Sequence, residues 1–395
     1  MRATRDQVGA GQLGMELDGK LVELKGRILA KEVVSFAKGT HQVDDKGDFT
    51  MAFRSQQMLT SVNLTTWVII VPQRDFAGVD NLVRTMTKVA APLSMAIGNP
   101  KQIIKVPDAR SGSYLSAMED ALNLKPQMIF VILPNNKAEL YNVVKKRLAV
   151  ERSAKSVLPG KNVTSKGLMS IATKVVVQMN AKLGGEPWTL KLPLKSCMFV
   201  DSRLPRSQGS KGGSAATISK RSTASFRSES SCIVTVWAKS TQGSLQYRAD
   251  YTHGRTHEDV RKRRKVTPTP HFHRRIQTGQ HSTHDDEDEP PKSSPGTIVD
   301  EVVTLPERYD FYLISCAARQ GTVSPCSYNV LQDENNFDAD RIQLITTNSA
   351  TCTTTGLEPS PLPAPCQYAH KLALPNCDSL CGQASPKLSR LLHFL

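Results

Sequence analysis

The chain has 395 residues, 39% of them hydrophobic and 22% charged, enough to bury the cores of two or three globular domains. Lysine and arginine outnumber acidic residues 51 to 36, and the resulting net charge of +15 favours a polyanionic partner. Aromatic residues make up 6%, which argues against a base-stacking platform and leaves phosphate-backbone contact as the natural use of the charge.

The N-terminus MRATRDQVGAG lacks the apolar core of a signal peptide, and no apolar run approaches the roughly 20 residues of a membrane span. An intracellular protein without a membrane partner is expected. WVIIVP (67–72) and QMIFVIL (127–133) are short apolar runs bounded by polar residues, the pattern of strands buried on both faces. After the second, Leu140, Val143, Val144 and Leu148 recur at helical spacing, and Asn136 with Glu139 offers a capping-box-like start. Strand, short loop, helix is one unit of a doubly wound α/β domain. A second helix is predicted in KGLMSIATKVVVQMNAK, closed by Gly184 and Gly185.

From 203 to 295 the chain is rich in Ser, Arg, Lys, Thr and His, with no sustained period. It contains a basic run, RKRRK (261–265), four histidines at 271, 273, 281 and 284 whose spacing matches no standard metal site, and an acidic run, DDEDE (285–289). IVDEVVTL and DFYLISCAA then read as strands, and order weakens again near 346–363. The eight cysteines (Cys197, Cys232, Cys316, Cys326, Cys352, Cys366, Cys377 and Cys381) form no regular framework and read as free thiols.

Tyr141 and Lys145 stand four apart on the first predicted helix and so share a face. A hydroxyl and an ammonium near a helix start can hold a phosphate. Lys174, Gln178 and Lys182 repeat the i+4 spacing on the second helix, and two such stripes facing each other would make an anion pocket. Spacing alone fits solvated helix faces equally well.

PQRDFAGVDNLVRTM, the LYNVVKK helix, SIATKVVVQMNAKLGGEPW, PGTIVDEVVTLPERYDFYLIS, RQGTVSPCSYNV and PAPCQYAHKLAL together resemble the Piwi branch of the Argonaute family, in the family's order and across nearly the whole chain. The resemblance implies an α/β protein: a Rossmann-like MID domain over 76–195, then an RNase H-like PIWI domain over 196–395. A linker over 1–75 precedes them, the N and PAZ domains are absent, and 203–295 and 346–360 are expected to be aberrant or disordered. It further implies that Tyr141, Lys145, Gln178 and Lys182 hold the 5′ phosphate of a small guide RNA, a piRNA. Tyr141 would stack on the first base, the lysines would neutralise charge, and Gln178 would act directly or through Mg2+ shared with the Leu395 carboxylate. A further glutamine usual in the family is missing from ERSAKSVLPGKNVTSK.

The family's nuclease site holds two metal ions with carboxylates and a histidine. His370 in QYAHKLA matches that histidine as catalytic metal ligand. The partner aspartates have no match: CMFVDSRLPRS lacks the GYDVxH pattern, and VTVWAKSTQGSLQY replaces a YRDGVGEG-like turn. Slicing is therefore expected to be lost, unless Asp201, Glu229 or Asp250 is recruited to make an active metal-dependent nuclease. Out-of-frame translation offers one account of these breaks. Codons permitted for His271–Thr283, read one base in, encode TFIVVSKRVNTR, and Ala350–Gly356 similarly yields HMYYNW, both close to family blocks. Val234–Lys239 yields YRVGE. The expected function is RNA-guided silencing of genes or transposons, with target RNA and Tudor-type silencing factors as partners, in germline cytoplasm, perinuclear granules or nucleus. The alternative is a non-binding fragment.

Overall fold

The computed structural model describes residues 24–135, 138–150, 154–163, 165–191, 293–307, 309–317, 325–333, 337–352, 359–364, 367–368 and 391–392, together with backbone strands between 198 and 270. Strand β1 (Arg27–Ile28) is followed by a hairpin of β2 (Val33–Phe36) and β3 (Gly39–Gln42). The hairpin turns through Gly39 at φ 116°, a conformation glycine adopts without steric cost. Phe36, Phe49 and Phe53 then gather around Trp188, with the Phe49–Trp188 centroids 5.2 Å apart at 70° and Phe53–Trp188 5.6 Å apart at 77°. Such edge-on aromatic pairs add to the area they bury.

The six apolar residues of β4 (Trp67–Pro72) leave no polar face for water, so the chain buries them all. β5 (Gln102–Val106), β6 (Met128–Leu133) and β7 (Ala154–Pro159) complete a parallel sheet in the order β5-β4-β6-β7, with β7 as an edge strand. Parallel strands require crossovers, and helices α1 (Val79–Ala90), α2 (Ser111–Asn123), α3 (Ala138–Val150) and α4 (Leu168–Lys182) cover the sheet. Leu82 and Met86 of α1 and Val176 and Met179 of α4 pack with Ile69 and Phe130 on one face. Met118 of α2 and Leu140, Val144 and Leu148 of α3 pack with Ile70 and Val131 on the other. This is the doubly wound, Rossmann-like arrangement expected, and α4 ends as predicted, with Gly184 at φ 95°.

A boundary at residue 76 does not separate two bodies. β4 is a central strand of the parallel sheet, and one apolar cluster runs from Val34 and Phe53 through Trp67 to Trp188 and Leu190. β8 (Thr189–Leu190) also returns to pair with β2. Asn180, fully buried near the end of α4, fastens the join: its side chain accepts from the Val62 N–H at 2.8 Å and donates to the Thr60 carbonyl at 2.9 Å. A Cβ on Gly185 would overlap that amide, so only glycine fits there.

In the second half, β9 (Met198–Arg203), β10 (Gly213–Ser222), β11 (Ser225–Glu229), β12 (Trp237–Ser240) and β13 (Gly243–Gln246) form an antiparallel sheet. β14 (Val266–Pro270), β15 (Thr297–Val299), β16 (Tyr309–Ile314) and β17 (Cys326–Asp333) form another, and β1 closes its far edge beside β15. Within 203–295, where disorder is expected, the backbone is therefore strand at β10 to β14, consistent with the β propensity of segments such as ATIS and VTPT. The rest of 203–292 lies outside the described residues.

Two expectations change here. Of IVDEVVTL only Ile298 and Val299 are strand, the end of β15, and Asp300 then binds Arg27 and Gln343. The chain then bends through Val302 at φ 67°, an uncommon conformation for a β-branched residue. Residues 346–351, expected to be disordered, form the last turns of helix α5 (Ala339–Thr351). That helix starts on the Asp338 cap, and Thr346, Thr347 and Ser349 satisfy their buried hydroxyls on the carbonyls four residues back.

Candidate nucleic-acid interface

α3 begins four residues beyond Pro134, with Glu139 in its first turn, where the helix dipole favours a carboxylate. Of its apolar stripe, Leu140, Val144 and Leu148 are buried as the spacing predicted, and Val143 is half-buried. That seating forces Tyr141 and Lys145 to the stripe's flank. Tyr141 is half-buried, and Lys145 is 9% exposed with its Nζ 4.9 Å from the centroid of the Tyr141 ring. The contact is a cation–π pair, and burial of this kind makes an ammonium attractive to an anion.

On α4, Lys174 and Gln178 are half-buried and Lys182 is 5% exposed. The two polar stripes do not face each other across a helix pair. α3 and α4 lie on opposite faces of the sheet, and β7, between them in the chain, is an edge strand. The C-terminal segment comes to the same helix: Leu391 packs beside Gly184, where an added Cβ would meet its Cδ2 at 3.3 Å. Leu395 itself lies outside the described residues, four positions further on, a reach of up to about 14 Å.

His370 and Asp250 lie outside the described residues, as do RKRRK, the four histidines and the acidic run. Asp201 pairs with Thr217 and Glu229 with Lys220, on opposite sides of β10, which sets their strands roughly 10 Å apart. Among the described residues no group of three or more His, Cys, Asp or Glu is placed to hold a metal ion. Gln178 is a neutral ligand at most, so the described residues alone do not fit Mg2+, whose anionic ligands would have to come from a bound phosphate and Leu395. Nor, among the described residues, is any helix long and apolar enough to cross a membrane. Cys316, Cys326 and Cys352 stand outside any disulfide, and burial raises the Cys326 pKa; the other five cysteines lie outside the described residues.

The sequence profile of the Piwi domain matches residues 128–267 and 272–375, more than half of the chain. The chain belongs to the Piwi family. The match runs through most of the polar stretch as well as the ordered blocks. Among relatives of this Piwi-family chain, protein piwi of Drosophila melanogaster is 32% identical over 403 residues, covering 91% of this chain and 47% of that protein. The chain thus spans about half the length of the curated relatives it matches. The crystal structure of Drosophila Piwi superposes with a TM-score of 0.78 at 28% identity, over 96% of this chain and 58% of that one. Two more distant structures share the fold at 15% identity. The C-terminal lobe of a budding yeast Argonaute has a TM-score of 0.68 over 94% of this chain and 95% of that one. Kluyveromyces polysporus Argonaute with a guide RNA has a TM-score of 0.71 over 95% of this chain and 54% of that one.

Sequence reasoning missed Arg74, Asp75 and Gly160, which hold the loops beside α3 and β7, and Asn180, which holds α4. Periodicity carries no signal for single polar residues outside an apolar stripe.

Proposed function

We propose that this chain binds the phosphorylated 5′ end of a small guide RNA at the outer edge of β7, and that the guide then selects transcripts for silencing. The observation carrying this reading is the pair of nearly buried lysines, Lys145 and Lys182, on the two helices that flank one edge strand. A terminal phosphate brings close to two negative charges, which two ammonium groups held in a partly dry setting can neutralise. The related Argonaute structure with a guide RNA supports RNA as the ligand class.

In this reading Tyr141 stacks on the first base while Lys145 and Lys182 neutralise the phosphate. Gln178 donates to a phosphate oxygen or offers its carbonyl oxygen to Mg2+, which would add positive charge between the phosphate and Leu395. Target sequence is read by base pairing, with the protein holding backbone and shape. Silencing of transposons, Tudor-type partners, and a cytoplasmic or nuclear setting belong to the same proposal. So does the absence of slicing, which follows from the missing aspartate motifs. Out-of-frame translation in 203–295 and 346–360 would account for those gaps, and the transcript across 195–365 tests it.

The binding test compares single-stranded RNA carrying a 5′ phosphate with the same RNA carrying a 5′ hydroxyl. Lys145→Ala and Lys182→Ala should each abolish most of the preference for the phosphate. Equal binding of both RNAs, unaffected by either substitution, would favour a fragment without this site. Cleavage of a guide-matched RNA, lost in His370→Ala, would instead favour the active nuclease.

A further inference from the structure

The parallel ladder between β4 and β6 ends at Ile70↔Val131, although each strand runs two residues further, to Pro72 and Leu133. There the connections diverge, β4 leading to α1 on one face and β6 to α3 on the other. This is the topological switch of the sheet, where a crevice opens at the carboxyl ends of the strands. One side chain bridges it. Arg74, two residues after β4, donates from its guanidinium to the carbonyl of Pro134, immediately after β6. Its Nε lies 3.4 Å from Asp75 Oδ2.

Asp75 carries the link one strand further. Its carboxylate lies against Gly160, immediately after β7, so closely that a Cβ on Gly160 would overlap it and stand 3.2 Å from the Leu133 carbonyl oxygen. Arg74 and Asp75 thus connect the turns that follow β4, β6 and β7. Between the second and third of these turns lie α3, which presents Tyr141 and Lys145, and the edge strand β7; α4, with Gln178 and Lys182, follows the third. A further grip lies one residue inside the sheet, where Tyr114 donates to the Ile132 carbonyl at 3.0 Å.

We infer that Arg74 is a positioning residue for the 5′-phosphate site: by fixing Pro134, it sets where α3 begins and so where Tyr141 and Lys145 stand relative to β7. This rests on the guide-binding reading above. Arg74 is 62% exposed and Asp75 19%, so their contribution to global stability is small, and the effect of losing Arg74 falls on the loop it holds. A loop that must be ordered at binding costs affinity for the ligand it serves and not for others.

The test uses the full chain with one single-stranded RNA in 5′-phosphorylated and 5′-hydroxyl forms. Arg74→Ala should weaken the phosphorylated form by about tenfold, with 5′-hydroxyl binding and melting temperature unchanged. Arg74→Lys, which can still reach a carbonyl, should recover much of the loss. Direct contact between Arg74 and RNA predicts something else, a fall of about 0.7 in the slope of log affinity against log salt; that result would overturn the inference. So would an unchanged phosphate preference in Arg74→Ala, or loss of the fold, which would make Arg74 a support of the sheet. If the wild-type chain shows no phosphate preference, the guide-binding reading fails, and the inference with it. If Lys145→Ala loses the preference and Arg74→Ala keeps it, only the inference fails.

Discussion

Helix α4 buries Ala172, Val176, Val177 and Met179, whereas α5 buries Gln343, Thr346, Thr347 and Thr351 beside its apolar Ile342 and Ile345. Both helices occupy interior positions, but α4 is apolar there until its last turn, where Asn180 and Lys182 are buried, whereas α5 mixes polar and apolar residues along its buried face. In α5 the hydroxyls of Thr346, Thr347 and Ser349 fold back onto the helix's own carbonyls, whereas Gln343 and Thr351 bond outward, to Asp300 and Tyr309 and to Glu32. A helix can therefore hold its place with polar side chains when each finds a partner, in its own turn or in a neighbouring segment. The same contrast separates the all-apolar strands β4 and β6 from β16, where Asp310 is buried beside Phe311.

The largest effect is expected in the first region. Phe53→Ala opens the aromatic cluster that joins the N-terminal segment to the parallel sheet and should cost about 3–5 kcal/mol in denaturant unfolding. A separate early transition, in place of one shifted transition, would mean that the segment before β4 is its own body. Asn180→Ala leaves the half-buried Val62 N–H without its acceptor and takes one of two donors from the Thr60 carbonyl, which keeps the Glu186 N–H, and should cost about 1–3 kcal/mol by the same measurement.

In α5 the prediction reverses. Thr347→Val removes a hydroxyl bonded only within its own helix and should change stability by less than about 1 kcal/mol. A larger loss would show that the hydroxyl works across the core.

The smallest effect concerns Glu32, beside the end of α5. Burial raises its pKa above the ordinary value of 4.5, despite a 3.3 Å hydrogen bond from the Thr351 hydroxyl. A carboxyl raised in the folded state contributes stability while protonated and loses it as pH climbs from the unfolded pKa through the folded one. Glu32→Gln should therefore raise the melting temperature at pH 7 and leave it nearly unchanged at pH 4. Equal shifts at both values would contradict this.

Where apolar residues repeat with a clear period, the elements were legible in the sequence: β4, β6, α3 and α4 lie where WVIIVP, MIFVIL, the Leu140–Leu148 stripe and KVVVQMNAK place them. IVDEVVTL misled because its alternation was apolar, yet one residue, Asp300, found partners in Arg27 and Gln343 and turned the chain. α5 was unreadable over 346–351 because its burial rests on hydroxyls closing on their own backbone, which leaves no hydrophobic period. Tyr141 with Lys145 was legible as a pair from its i+4 spacing. That α3 and α4 lie on opposite faces was not, since helix handedness and strand order decide it.

The central claim is that buried lysines at the edge of β7 recognise an RNA 5′ phosphate. Direct titration of the wild-type chain with 5′-phosphorylated and 5′-hydroxyl forms of one RNA, at a single fixed salt concentration, tests it most directly. The account predicts at least about tenfold tighter binding of the phosphorylated form, equivalent to roughly 1.4 kcal/mol. Equal affinities would contradict it and reduce the positive charge of the chain to general attraction for nucleic acid.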